Sequence, residues 1–165
     1  MFKEFSPKYE SGFRTFFIIW VIGWTMLNLW QIGVDYIDYE SITAGGDAAL
    51  AEWWFDTFGK LISVSIGFIL LFWMSSVPQR IGKAKKISGI PLFMTLTVVY
   101  YLFGTLVNLF TAALFNPEDF IEQFVFGTMW LMPSIIILIL HMLYYNNLQK
   151  YNTYGLPVDI EEDQK

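Results

Sequence analysis

Uncharged stretches and charged connections alternate along this chain. Four stretches carry no formal charge: residues 15–34, 61–79, 87–117 and 123–149. Each is long enough to cross the roughly 30 Å hydrocarbon core of a bilayer as a helix. The pattern predicts an all-α integral membrane bundle of four transmembrane helices, with spans at about 15–34, 61–79, 90–114 and 122–146.

Composition supports the membrane class. Of the 165 residues, 55% are hydrophobic and 15% are charged, whereas about a quarter of a typical soluble domain is charged. Four spans and their connections predict one transmembrane domain over residues 1–150, followed by an acidic cytoplasmic tail over 151–165. The first 14 residues mix both charges and precede no small-residue cleavage site, so we expect the first span to be uncleaved.

Basic residues predict the orientation, because cytoplasmic loops retain Lys and Arg during insertion. The connection between the second and third spans is basic and contains Arg80, Lys83, Lys85 and Lys86. Lys60 is the single basic residue on the opposite side, where acidic residues are concentrated. We therefore expect a multi-pass protein of the bacterial cytoplasmic (inner) membrane with both termini in the cytoplasm. The basic loop is expected to fix topology or to contact anionic lipid headgroups, and not to bind nucleic acid.

The first outer loop contains a predicted interfacial helix. Ala44, Gly45 and Gly46 form a flexible break, and Asp47 is a suitable N-cap for a short helix that lies on the membrane surface before the second span. This segment predicts an outer interaction surface consisting of Glu52, Trp53, Trp54 and Asp56. A simple loop anchor is the favoured interpretation, and a platform for a partner or lipid is the alternative.

Small residues recur at helical spacing within the spans. Gly59, Ser63 and Gly67 fall at every fourth position of the second span, and Gly104 belongs to a similar row in the third. Such rows allow helix backbones to approach closely. In the fourth span, Pro133 removes a backbone hydrogen bond and is expected to kink the helix. These residues predict tight helix packing.

Polar chemistry inside the spans is sparse. No Asp, Glu, Lys or Arg lies in the middle of a span, and the candidate intramembrane polar residues are Asn28, Gln31, Asn108 and His141. Interhelical hydrogen bonding is their favoured role, with ligand recognition as the alternative. Cysteine is absent, and one histidine without a nearby carboxylate does not complete a metal, haem or acid–base set. The sequence predicts no catalytic residue, metal or cofactor.

A family resemblance points to the same class. The four spans, the basic loop after the second, and Trp130-Leu-Met-Pro133 before a polar, lysine-containing exit resemble the YdgK-like bacterial inner-membrane proteins. The resemblance covers the chain by topology more than by residues. It implies a four-span inner-membrane protein, and it implies no activity and no site residues.

The expected function is that of a non-enzymatic accessory or interaction subunit, with the lipid bilayer and another membrane protein or a second copy as partners. Two alternatives remain open. A small transporter or channel for a neutral or cationic solute requires a water-accessible cavity lined by the intramembrane polar residues. A membrane-embedded enzyme or cofactor carrier requires a polar pocket around His141.

Overall fold

The computed structural model describes residues 4–115 and 120–155. Nearly all residues within these ranges are helical and no strand occurs there, so the predicted all-α class is confirmed. The helices are α1 Pro7–Ile37, α2 Tyr39–Ala44, α3 Asp47–Gly82, α4 Ile90–Phe115 and α5 Phe120–Tyr154. In the described part of the chain, α1 and α3 are the two helices long and apolar enough to cross a membrane.

The long helices pack side by side in an up-and-down order. α1 packs mainly on α3, α3 on α4, and α4 on α5, while α1 and α5 share a shorter contact. We call the end where α1 begins and α5 ends the base; the α3–α4 connection also lies there, and α2 lies at the far end. Two long-range contacts hold the base together, from Ser6 to Asn147 and from Ile87 to Asn152.

The first helix after the glycine break differs from the prediction. α3 begins at Asp47 and continues without interruption to Gly82, so the separate interfacial helix predicted for the first outer loop is wrong. Gly46, with φ 85°, is the N-cap, and Asp47 is the first helical residue. Elongation adds one hydrogen bond for each residue fixed, and no proline interrupts residues 47–77. The short helix in this connection is instead α2.

Among the described residues, the buried core is rich in aromatic side chains. Its largest fully buried side chains include Phe17, Tyr100, Tyr144 and Tyr145. The Trp73 indole stacks on Phe93 with ring centroids 4.3 Å apart and donates a hydrogen bond to the Ser88 carbonyl at 3.2 Å. Aromatic rings bring large contact areas, so a few of them fill the space between four helices. Pro133 lies inside α5, and its kink stays a prediction.

Candidate functional site

His141 is at the centre of the aromatic core. Its ring is fully buried and stacks on Phe17, with centroids 3.5 Å apart, while the Tyr101 and Tyr145 rings lie 5.5 and 6.0 Å away. Neither imidazole nitrogen has a hydrogen-bond partner, and the buried Tyr101 hydroxyl has none either. A buried polar group without a partner costs about 1–3 kcal/mol. The surroundings of His141 are therefore a packed aromatic cluster.

The buried hydroxyls of Thr97 and Tyr145 in this core are paired, whereas that of Tyr144, like that of Tyr101, has no partner. The Thr97 hydroxyl donates to the Phe93 carbonyl at 2.8 Å, and its oxygen lies 2.6 Å from the Tyr145 hydroxyl. Because Thr97 has one hydroxyl proton and gives it to the carbonyl, Tyr145 is the donor in the second bond. The Tyr100 hydroxyl lies 3.4 Å from the Thr25 hydroxyl. The neighbouring residues Tyr100 and Tyr101 thus differ, because the first hydroxyl lies near a hydrogen-bond partner and the second has none.

Asn28 and Gln31, two of the other predicted polar residues, lie on α1 and do not contact His141 among the described contacts. Asn28 is buried, and its amide donates to the Trp24 carbonyl of its own helix at 2.8 Å. Gln31, one turn further along α1, is half-buried. The side chain of Asn108 lies outside the described part of the structure. Among the described residues, no group of three or more His, Asp or Glu side chains is placed to hold a metal ion.

The small-residue row of α3 faces its neighbours. Gly59, Ser63 and Gly67 are all buried. A Cβ atom built on Gly67 would overlap the Thr25 hydroxyl of α1 and would lie 3.4 Å from the Tyr100 ring of α4. Only glycine lets three helices meet at this point. The surroundings of Gly104 lie outside the described part of the structure.

An ion cluster joins α1 and α3 near the far end. The Lys60 ammonium donates to the carboxylates of Asp35 and Asp56, each at 2.6 Å. Burial on its own lowers the pKa of Lys60, but the hydrogen bonds to both carboxylates outweigh it and hold the pKa above the ordinary value. Asp56, predicted as part of an outer interaction surface, is thus already engaged within the protein.

The predicted outer surface divides into bonded and exposed members. Trp53 is half-buried and packs edge-to-face on Tyr39 and Trp54, with centroids 5.2 and 4.8 Å apart. Glu52 is half-buried and has an interaction of its own. Trp54 is 57% exposed, and Phe58, one turn further, is 64% exposed. The exposed patch is therefore aromatic, and Phe58 was missing from the predicted surface although its i, i+4 spacing from Trp54 was visible.

Two asparagines of α5 organise the base in a way that the sequence analysis did not predict. The Asn152 side chain accepts from the Ile87 backbone N–H and donates to its carbonyl, both at 2.8 Å. Asn147 makes the same pair of bonds with Ser6, both at 3.0 Å. We call these pairs the asparagine clamps. Each satisfies two backbone groups outside a helix, so a clamp fixes both position and orientation of the chain.

The basic loop is held by one of these clamps. Lys83, Lys85 and Lys86 are exposed, whereas the Arg80 guanidinium donates to the Ser88 hydroxyl across the loop. Ile87, the residue held by Asn152, is 1% exposed and begins the return into the core. The lysines are therefore presented on a fixed turn.

A buried ion pair also lies near the base. Glu10 is 5% exposed and accepts a hydrogen bond from the Arg14 Nε at 2.8 Å. Burial raises the pKa of the Glu10 carboxyl above its ordinary value, against the opposing effect of Arg14. In the sequence, Glu10 is one of several charged residues before the first span. Its spacing of four residues from Arg14 was the available signal for the pair.

No protein-family model, curated protein or solved structure matches this chain. The interpretation of these sites therefore rests on the chain's own residues and their geometry.

Proposed function

We propose that this chain is a four-span helical protein of a bacterial cytoplasmic membrane that acts as a non-enzymatic interaction subunit, with both termini in the cytoplasm. The first support is the distribution of apolar side chains. The most apolar windows of α1 and α3 are only 22% and 39% buried, and Ile19 and Phe72 are 65% and 82% exposed. Meanwhile Thr97 and His141 are fully buried. Water-soluble folds arrange these groups the other way, so a lipid surrounding fits better.

The spacing of charges along the helices is a second support. Arg14 and Asp35 mark the ends of the uncharged part of α1, and Lys60 and Arg80 mark those of α3. At 1.5 Å per residue each pair is separated by about 30 Å along the helix axis. This is the thickness of a hydrocarbon core. Because Lys60 bonds to Asp35, the charged residues at the far ends of these two uncharged segments lie side by side.

The exposed aromatic patch on the N-terminal part of α3 carries the interaction role. Residues 47–59 continue α3 beyond Lys60 for about 20 Å, and we call them the projecting segment. Trp54 and Phe58 are exposed on it, and the ion cluster with Asp35 and Asp56 holds its lower end. Exposed aromatic groups on a rigid element are typical of protein contact sites. We propose that another membrane protein binds there.

The transport alternative has less support. Asn28 bonds to its own helix, and rings surround His141 at stacking distance. An open passage would instead need these polar groups to face a water-accessible space.

Topology can be tested with single cysteines, because the natural chain contains none. Ser41→Cys lies between α1 and α3, and Lys85→Cys lies in the basic loop. In intact cells, a membrane-impermeant maleimide is expected to label the first from outside and the second only after permeabilisation. The reverse labelling, or recovery of the chain as a soluble monomer without detergent, would show the membrane proposal to be wrong.

The interaction role needs a separate test. The tagged protein is purified in gentle detergent and its companions are quantified by mass spectrometry. We expect one stoichiometric membrane complex, which is lost when Trp54 and Phe58 are both changed to Ala. Changing Phe68 and Phe72 to Ala is the matched control, because these exposed rings lie on the same helix within the uncharged stretch. Recovery of the wild-type chain alone would contradict the interaction role.

A further inference from the structure

An apolar furrow follows the outer surface of α1. One groove of about 460 Å³ lies between α1 and Leu140 of α5, and its α1 lining runs from Lys8 to Phe16. A second groove of about 300 Å³ shares Phe16 and continues to Leu27. We call the two grooves together the α1 furrow. It exists because α1 packs closely on α3 but has only a short contact with α5.

Glycine forms part of the furrow's floor. Gly12 lines the first groove and Gly23 the second, and no atom lies within 4 Å of a Cβ atom built on either residue. Aromatic side chains, among them Phe13, Phe16 and Trp20, form the rest of the lining. The distance from Gly12 to Gly23 is about 16 Å along the helix, close to half of a bilayer's hydrocarbon thickness.

Charge is confined to one end of the furrow. Lys8 is exposed at the base and has no ion pair within the described residues. Arg14, the nearest other cation on α1, is bonded to Glu10. The furrow thus combines a cation at the expected headgroup level with an apolar channel that extends along α1 for about 28 Å, from Lys8 to Leu27.

We propose that the α1 furrow binds one acyl chain of an anionic phospholipid whose phosphate contacts Lys8. The inference depends on the membrane location in the proposed function but not on the interaction role. A helix from a partner is about 10–12 Å wide with its side chains, whereas an acyl chain is a single file of methylene groups. The charge at one end also fits a lipid headgroup, since a lysine near an anionic surface contributes about 1 kcal/mol.

Lipid retention by the purified full-length protein tests the inference. The protein is exchanged into detergent with equal amounts of phosphatidylglycerol and phosphatidylcholine, and native mass spectrometry counts the lipids that remain bound. We expect one retained lipid and about a fivefold preference for phosphatidylglycerol, the selectivity of one lysine. Lys8→Gln is expected to bring the two lipids close to equal, while Lys150→Gln, a basic residue of α5 that lines neither groove, leaves the preference unchanged.

Substitutions that fill the furrow test the acyl-chain site independently of the Lys8 charge. Gly12→Leu and Gly23→Leu are expected to remove retention of both lipids, because each side chain enters the space that the acyl chain would occupy. Gly33→Leu is the matched control, since Gly33 is equally open but does not line either groove. Thermal unfolding checks that all variants are folded.

Several outcomes would overturn the inference. They are a wild-type protein without retained lipid, filled furrows that still retain lipid, and equal loss in the Gly33→Leu control. Dissociation of a dimer or partner complex by Gly12→Leu without any change in lipid retention would assign the furrow to a protein helix. Because the assay needs no companion protein, failure of the interaction role leaves its result unaffected, and maleimide labelling tests the membrane location separately.

Discussion

Removing one hydroxyl from each of two neighbouring tyrosines tests whether the core around His141 is dry. Tyr101 and Tyr145 are both buried, and both rings lie near His141. The Tyr145 hydroxyl donates to Thr97, whereas the Tyr101 hydroxyl has no partner. Phenylalanine keeps each ring and its packing while deleting the hydroxyl. Both substitutions therefore delete the same chemical group, but Tyr145→Phe deletes a hydrogen-bonded hydroxyl and Tyr101→Phe deletes one without a partner.

The expected changes in the free energy of unfolding have opposite signs. Tyr145→Phe removes a hydrogen bond and is expected to destabilise by about 0.6–1 kcal/mol. The cost is at the low end because Thr97 keeps its own donor bond to Phe93. Tyr101→Phe removes a desolvated hydroxyl without a partner, and we expect it to stabilise by about 1 kcal/mol. The two variants should thus differ by about 2 kcal/mol.

Reversible unfolding in mixed micelles measures both values. The protein is titrated with a denaturing detergent, and helix content is followed by circular dichroism in the same lipid and detergent mixture for all variants. If Tyr101→Phe destabilises as much as Tyr145→Phe, the Tyr101 hydroxyl has a partner such as bound water. In that case the reasoning about a dry core is wrong, and a hydrated path near His141 would again support transport.

Three further predictions use the same unfolding assay. Gly67→Ala is expected to destabilise the protein by about 1–3 kcal/mol, because the added Cβ atom meets the Thr25 hydroxyl of α1. Gly23→Ala is the control, since Gly23 lies in open space, and it should stabilise the protein by about 0.5–1 kcal/mol. Similar values for the two variants would contradict the close contact at Gly67. Because burial raises the folded-state pKa of Glu10 above its unfolded value, its contribution is fully present below the unfolded pKa and is lost as pH rises through the folded pKa. Wild type should therefore gain stability relative to Glu10→Gln as pH falls from neutrality, and parallel profiles would disprove this. Asn152→Ala is expected to destabilise the protein by about 1–3 kcal/mol, because it leaves the N–H and carbonyl of Ile87 unpaired. Asn146→Ala is the control, since Asn146 is exposed, and it should change the free energy of unfolding little. Equal effects of the two substitutions would argue against a clamp.

Periodicity and spacing in the sequence predicted the helices of this fold better than they predicted the contacts between residues distant in sequence. The uncharged stretches 15–34, 61–79 and 123–149 fall inside α1, α3 and α5, and Gly59, Ser63 and Gly67 mark a face that the structure buries, because both features depend on local spacing. The continuity of α3 was not predicted, because a glycine pair before Asp47 suggested a separate surface helix. Helix elongation carries the chain through this region, and the Lys60 cluster holds it against α1.

Long-range pairing could not be read from one sequence. Asn152 lies 65 residues from its partner Ile87, and Asn147 lies 141 residues from Ser6, so no local pattern indicates either bond. The orphaned nitrogens of His141 also depend on which rings surround it. The sequence therefore allowed the polar residues of the candidate site to be listed. Which rings pack around them, and which of their polar atoms are hydrogen-bonded, depends on the positions of all four long helices.

The asparagine clamps have a consequence for biosynthesis. Both amides belong to the final turns of α5, which are the last part of the described chain to leave the ribosome, while the segments that they hold precede α1 and α4. Under the proposed membrane topology, the earlier helices enter the membrane in sequence, while the segments before α1 and α4 stay untied until these last turns of α5 have been synthesised. Under that topology, closure of the base by both clamps therefore waits for the synthesis of α5.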